Sequence, residues 1–383
     1  MIYLPEGALI PESPESPDLD RDFPPLLLAW YGENARDLPW RRDRNPYAIW
    51  LSEIMAQQTR IAAVVPYYER FIKRFPTARE LAEADEEEVL KTWQGLGYYS
   101  RARSLHQAAR IVCGKYGGQL PADVSALRAL PGVGDYTAGA IASIAFGLRA
   151  PAIDGNALRV VARLTADNAD VTLPAFRRAA AARVASWMPD ILSGSATETP
   201  AGSRCGDFTQ AMMELGALIC VPGKPACPRC PARGLCAAAR LGCAESLPVL
   251  PARKEKRVQP VAVVLALDEE GRVLMRRRTQ RLLRGMWEYI LLEGEPDEAE
   301  LPRLLAPYAR APRFAAALPG ARHVFTHLIW QMRGFVFRAQ CANPPEGYRW
   351  VARDEWEALP LPTALAPYSQ WLTDYFTVIS RLL

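Results

Sequence analysis

Four cysteines crowd one short stretch of the chain. Cys220, Cys227, Cys230 and Cys236 follow the spacing C-x6-C-x2-C-x5-C within 17 residues. Thiolates this close in sequence can converge on one soft metal centre, and both zinc and a 4Fe–4S cluster accept four sulfurs. Zinc ribbons usually carry two C-x2-C knuckles, whereas this segment has one. Buried structural cysteines would be unusual at this density. Cys113, Cys205, Cys243 and Cys341 have no such spacing and read as small buried apolar residues or incidental thiols. A second candidate is Leu130-Pro131-Gly132-Val133-Gly134-Asp135-Tyr136-Thr137. Two glycines one residue apart let the chain turn tightly, and a helix is expected from Thr137. Such a turn points backbone N–H groups and a helix N-terminus outward, which suits phosphate without any side-chain charge. An ordinary inter-helix turn has the same pattern. Twenty residues past Gly134 stands Asp154, in an apolar frame of Pro151, Ala152, Ile153 and Leu158. Its ordinary reading is a helix N-cap.

The scaffold for these residues is helical from about residue 22 to 240. Asn45-Pro46 before Ile49, Trp50 and Ile54 marks a helix start. Ala102, Leu105, Ala109 and Val112 share one face of another helix, just after the Gly95-Leu96-Gly97 break. Residues 1–21 read as a mobile acidic, Pro-rich tail, 193–206 as a loop, and 247–259 as a Pro-containing basic linker. Beyond it, Val261–Leu267, Val273–Met275 and Phe335–Ala339 are β-type runs, with helices expected at Leu301–Ala306 and Tyr368–Leu383. The expected division is therefore a helical domain over 22–246 and an α+β domain over 260–383.

The 383 residues are half apolar and 23% charged, which describes a folded protein of two or three domains. The net charge of +4 excludes a polybasic tail binder but leaves room for a local basic surface. Forty of the 46 cationic residues are arginine, an excess that proteome bias explains as well as phosphate binding does. No apolar run approaches a membrane span, and the N-terminus lacks the features of a signal peptide. A cytoplasmic protein is expected, so the cysteines are thiols or metal ligands before they are disulfides.

The Pro-Gly-Val-Gly hairpin, Asp154 and the cysteine spacing, in that order, resemble the endonuclease III group of helix–hairpin–helix DNA glycosylases. Within that group other segments resemble the MutY-type adenine glycosylases: Arg36–Arg41, Pro46-Tyr47, Trp50–Thr59, Gly95–Arg103, Asp154-Gly155-Asn156 and Phe208–Gly216. The likeness is close over roughly 22–240 and weaker beyond. It implies a mainly α fold, a six-helix barrel plus an iron–sulfur cluster subdomain, followed by an α+β Nudix-like domain. Lyase members carry a lysine where this chain has Tyr136, and no lysine lies between Lys115 and Lys224, so Schiff-base chemistry is hard to build.

The activity implied is monofunctional hydrolysis of the N-glycosidic bond of adenine mispaired with 8-oxoguanine or G in duplex DNA. Another endonuclease III-like glycosylase and a non-catalytic iron–sulfur DNA binder are the alternatives. By resemblance Glu53 is the general acid and Asp154 the sugar-facing carboxylate, supported by Tyr136 and Asn156. Burial of Glu53 in its apolar helix would raise its pKa, and two carboxylates pushed apart in pKa is the logic of glycoside hydrolysis. Arg41, Gln57, Gln58, Thr59, Leu96, Gly97 and Tyr98 match DNA- or base-contacting positions. Gly132 and Gly134 form the phosphate-gripping hairpin. By the same resemblance Cys220, Cys227, Cys230 and Cys236 are expected to hold a 4Fe–4S cluster.

In the Nudix-like domain Phe325-Thr326-His327 matches a lesion-reading loop in which Phe-Ser-His is usual. Gly294 and Glu300 keep only the opening of a hydrolase motif, with Tyr308 and Ala309 where Arg and Glu are needed, so binding without hydrolysis is expected. Phe325 packed as an ordinary core residue is the other reading. Ala56 departs from the family's usual Leu. The expected partner is duplex DNA, with no membrane, acting as a monomer in the cytoplasm beside the nucleoid.

Overall fold

Asp18 starts the first helix, Leu19–Asn34, by accepting the backbone N–H of Arg21 at 2.9 Å. That capping bond satisfies one of the donors a helix start leaves open, and it places residues 19–21 of the expected tail inside a helix. The computed structural model describes residues 17–189, 204–252, 255–341 and 343–379. Most of the acidic tail, most of the 193–206 loop and the last residues of the C-terminal helix therefore lie outside the described residues. The chain divides into two units, Met1–Glu53 with Pro121–Ala252, and Ile54–Leu120 with Arg253–Leu383.

The first unit is helical. Helix Pro46–Ala56 starts as its sequence suggests, with the Asn45 side chain accepting from Tyr47 N at 2.9 Å and Ala48 N at 3.3 Å. Helices Asp135–Phe146, Gly155–Thr165, Pro174–Trp187 and Arg204–Glu214 complete its scaffold. Phe23, Leu27, Leu158, Trp187, Phe208 and Leu215 form its core, with Phe23 meeting Trp187 edge to face at 4.8 Å between ring centroids. Burial of large aromatic and aliphatic side chains is the main stabilising term here.

The second unit joins helices Ile61–Arg74, Ala78–Glu83, Glu86–Trp93 and Ser100–Tyr116 to a seven-stranded sheet. Ala102, Leu105, Ala109 and Val112 are all fully buried, as their spacing predicts. The strands are β1 (Arg257–Leu267), β2 (Val273–Arg277), β3 (Trp287–Glu288), β4 (Ile290–Glu293), β5 (Arg310–Val324), β6 (Leu328–Gln340) and β7 (Tyr348–Val351). The order is β3-β2-β1-β6-β5, with β4 pairing β1 and β7 pairing β2. β1 and β6 run parallel, and the other pairs antiparallel. From Val261 to Leu267 β1 is apolar and buried, because both its faces are covered there. Val261, Val263 and Leu265 enter one core with Tyr368 and Leu372, and Ala262, Val264 and Ala266 enter another with Leu301 and Leu305.

Two departures from expectation have simple causes. β1 begins at Arg257, inside the stretch read as linker, because parallel pairing with β6 extends it to Leu328. β5 was not expected at all: it is an edge strand with Pro312 and Pro319 and mostly exposed side chains, so it lacks the alternating apolar signal.

Strand β3 and the C-terminal end of helix Arg353–Ala358 also bond to helix Glu86–Trp93. Lys91 Nζ donates to the carbonyls of Glu357 at 2.6 Å and Leu359 at 3.0 Å, and Trp287 Nε1 donates to Glu87 at 2.9 Å. Among the described residues no helix is long and apolar enough to cross a membrane.

Candidate active site

The hairpin between helices Val124–Arg128 and Asp135–Phe146 is made as its sequence suggests, though its two glycines differ in role. Gly132 has φ +79, a conformation other residues adopt only with strain. Gly134 is extended and caps the second helix without a side chain, leaving open space at its Cβ position. The helix begins at Asp135, so Tyr136 lies in its first turn. At Gly139 the backbone of Pro151 comes so near that a Cβ would lie 2.3 Å from its carbonyl oxygen. Only glycine permits that approach, which brings the segment leading to Asp154 against the helix carrying Tyr136.

Asp154 caps helix Gly155–Thr165. Its Oδ1 accepts from Ala157 N at 2.7 Å and its Oδ2 from Asn156 Nδ2 at 2.8 Å. Both carboxylate oxygens are thus held, beside the positive end of a helix. Glu53 is only 8% exposed. Burial pushes its carboxyl up to about 7; the hydrogen bond from the Tyr136 hydroxyl pulls it back in part, and the nearby Asp154 charge pushes it further up. Glu53 Oε2 is buried with no hydrogen-bond partner among the described residues. The Tyr136 phenol is raised well above its ordinary value, by burial first and then by the Glu53 and Asp154 charges, so it remains a donor. Glu53 lines a small pocket with Trp40, Arg41, Ser52, Ile144, Gln210 and Met213.

An ion cluster beside this pocket is not evident from local sequence. Glu214 is fully buried and accepts from both Arg36, Nε to Oε2 at 2.8 Å, and Arg41, Nη2 to Oε1 at 2.7 Å. Arg41 was a candidate on family grounds. Glu214 and Arg36 lie in the family-like segments Phe208–Gly216 and Arg36–Arg41, and their pairing spans 178 residues. The signal that could have found them is a glutamate inside the otherwise apolar run 211–219, which needs a buried cationic partner.

The helix that Asp154 caps also reaches the cysteines. Arg159 binds Asn156 Oδ1 at 2.9 Å, Gly216 O at 2.8 Å and Cys220 O at 2.7 Å. One turn on, Arg163 donates to Cys220 Sγ at 3.4 Å, Val221 O at 2.8 Å and Leu247 O at 2.9 Å, while the Cys236 thiol donates to the Arg163 carbonyl at 3.2 Å. Cys220, Cys227, Cys230 and Cys236 all line one cavity with Arg163, Leu215 and Ile219. Burial pushes the Cys230 thiol up to about 12, and the charges of the other three push the same way. Holding Cys230 as a thiolate here therefore calls for a cationic centre. Among the described residues no three metal-binding side chains are already drawn into a coordinating geometry. The donor set and the shared cavity fit a soft metal centre.

The remaining candidates belong to the second unit. Gln57, Gln58 and Thr59 follow helix Pro46–Ala56, and Leu96, Gly97 and Tyr98 precede helix Ser100–Tyr116. Arg101 hydrogen-bonds to Gln57, Thr59, Leu96 and Gly97, joining the two loops. Tyr98 is 45% exposed. Phe325 lies at the turn between β5 and β6, half-buried and edge-on to His323 at 4.6 Å and Trp330 at 5.0 Å. Lys256 Nζ holds its carbonyl at 2.8 Å. Phe325 thus packs into the domain core, while Thr326 and His327 are exposed.

Residues 51–184 match the family described as HhH-GPD superfamily base excision DNA repair protein, and residues 262–370 match the NUDIX domain. The Homo sapiens protein named adenine DNA glycosylase is 34% identical over 434 residues, covering 94% of this chain and 77% of its own length. The Arabidopsis thaliana protein of the same name is 36% identical over 361 residues, covering 79% of this chain and 55% of its own. A solved thermostable thymine-DNA glycosylase is similar with a TM-score of 0.50 and 30% identity, over 58% of this chain and 97% of that one.

Proposed function

This chain belongs to the adenine DNA glycosylases, base-excision repair enzymes of the helix–hairpin–helix superfamily, and from that premise we propose that it excises adenine paired with 8-oxoguanine, or with G, from duplex DNA. The observation that carries the reading is Glu53, a buried carboxyl raised to about 7 with one oxygen unpartnered at a pocket. Adenine is a poor leaving group until it is protonated. With its carboxyl raised to about 7, a substantial fraction of Glu53 keeps its proton near neutral pH and delivers it to adenine N7 in the flipped nucleotide. The bond from C1′ to adenine breaks, the electron pair leaves with the base, and positive charge develops on the sugar. Asp154, anionic and fixed by Asn156 and Ala157 N–H, stabilises that charge. Water then adds to C1′ and loses a proton, leaving an abasic site.

The rest of the chain divides the labour of recognition. The Gly132–Gly134 hairpin offers backbone N–H groups to phosphate. Gln58 and Tyr98 enter the base stack beside the lesion, and Gln57, Thr59, Leu96 and Gly97 line the approach. Arg41, held by Glu214, borders the adenine pocket. Residues 22–246 form the glycosylase domain and 260–383 the Nudix-like domain, where Thr326 and His327 meet the base opposite adenine while Phe325 anchors their turn. Cys220, Cys227, Cys230 and Cys236 hold a 4Fe–4S cluster, which cross-links the loop that Arg159 and Arg163 grip. The protein works as a monomer in the cytoplasm, at the nucleoid.

The test is a duplex carrying A opposite 8-oxoguanine, incubated with protein and then treated with alkali. Cleavage of the A strand is expected, weaker with A opposite G and absent with A opposite T. An uncut strand, or a covalent adduct trapped by borohydride, would overturn the reading. Brown protein with visible absorbance supports the cluster, and colourless protein with one zinc refutes it.

A further inference from the structure

Arg101 lies in the first turn of helix Ser100–Tyr116 and is 8% exposed. Its Nη1 donates to three carbonyls, of Ile54 at 3.0 Å, Met55 at 2.7 Å and Gln57 at 2.6 Å. Its Nη2 donates to Thr59 Oγ1 at 3.2 Å, Gly97 O at 3.1 Å and Leu96 O at 3.5 Å. The guanidinium also lies over the rings of Trp93 at 5.4 Å and Tyr98 at 5.3 Å. One side chain therefore bonds to two loops separated by almost forty residues of chain. Each loop contains a non-glycine residue in the left-handed region, Gln58 at φ +57 and Tyr98 at φ +49. Such backbone persists only where its surroundings fix it. The Arg101 acceptors stand at Gln57 and Thr59, on either side of Gln58, and at Leu96 and Gly97, directly before Tyr98.

We propose that Arg101 is a positioning residue for lesion engagement, holding the Gln58 and Tyr98 loops in one shared geometry so that both side chains meet the opened duplex together. The inference rests on the reading that Gln58 and Tyr98 enter the base stack. Arg101 itself touches neither substrate nor reacting atoms. Its forked, planar donors are what the task requires. A lysine keeps the charge but is a point donor on a flexible stem and cannot span both loops.

The experiment compares full-length wild type, Arg101→Lys, Tyr98→Ala and the double variant. Two quantities are read: the preference in binding for an A:8-oxoguanine duplex over an undamaged one, and the single-turnover excision rate across pH. Each single variant should lose on the order of tenfold in preference, and the double variant should lose no more than the worse single, as expected for two residues acting through one contact. The pH at which excision falls off should not move in Arg101→Lys. Losses that multiply in the double variant, or a displaced pH profile, would overturn the proposal, since Arg101 would then act on the fold at large or on Glu53. Thermal unfolding accompanies each variant. If Arg101→Lys does not fold, the same cycle is run with Thr59→Val, which removes one acceptor. Thr59→Ser should restore the preference, and failure to restore it counts against the proposal. Binding preference is read without turnover, so a wild type that prefers the lesion duplex yet excises nothing sinks the glycosylase reading alone.

Discussion

Glu53 is enclosed at a pocket with one oxygen unpartnered, whereas Thr326 and His327 stand exposed at the turn between β5 and β6. The two regions use water in opposite ways. Around Glu53 its removal raises the carboxyl to about 7 and supplies an acid that an exposed glutamate could not be at neutral pH. At the turn, Thr326 and His327 stay in water, and packing of Phe325 against His323 and Trp330 supplies the rigidity. Substitutions in the first region should therefore exchange activity for stability, and substitutions in the second should alter selectivity alone.

The sharpest way to break that contrast is Glu53→Gln. It removes the acid, and excision should fall by about 10²–10⁴-fold in single-turnover strand cleavage. Wild-type excision should decline as pH rises through about 7, where Glu53 loses its proton, and a rate that stays flat to pH 9 would argue against it as the acid.

Next comes Glu214→Gln, which leaves Arg36 and Arg41 without their buried carboxylate. A loss of about 3 kcal/mol in denaturant unfolding is expected, at the low end for a broken buried pair because Arg36 is 33% exposed. An unchanged midpoint would show the pair to be stabilised by something else.

Glu53 also bears on stability. The unfolded carboxyl releases its proton near 4.5 and the folded one near 7, so between these values the folded state binds more protons and stability falls as pH rises. Glu53→Gln escapes that fall. It should be more stable than wild type at pH 8, by at most roughly 3 kcal/mol, with the gain vanishing by pH 4; thermal melts at the two pH values decide it. The smallest effect belongs to the turn. Thr326→Ala should reduce the preference for 8-oxoguanine over G by about fivefold, the worth of one hydrogen bond, without shifting the melting temperature. A large loss of stability there would erase the distinction between the two regions.

The parts legible in the sequence are those fixed by local chemistry. Cysteine spacing, a Gly at positive φ, an Asp with free helix donors beyond it and the buried face of Ala102, Leu105, Ala109 and Val112 all follow from short-range rules. What escaped it is set by distant pairing. Glu214 finds Arg36 across 178 residues. Arg101 lies within the family-like segment Gly95–Arg103, but its role is recognised only by the carbonyls that surround it. β5 owes its existence to β6, and its exposed edge leaves no periodic trace.

Lys91 ties helix Glu86–Trp93 to the end of helix Arg353–Ala358, and Trp287 ties it to β3, within a single unit, and the chain passes between the two units at residues 53/54, 120/121 and 252/253. Proteolysis in the 247–252 stretch thus severs only one of several crossings. The nicked protein should elute as one species in gel filtration and separate into fragments only in denaturant. Removing residues 260–383 genetically is a different operation. It strips helix Glu86–Trp93 of the carbonyls that hold Lys91 and of the indole that holds Glu87, so a shortened protein would begin life with an unmated surface where the intact one has an interior.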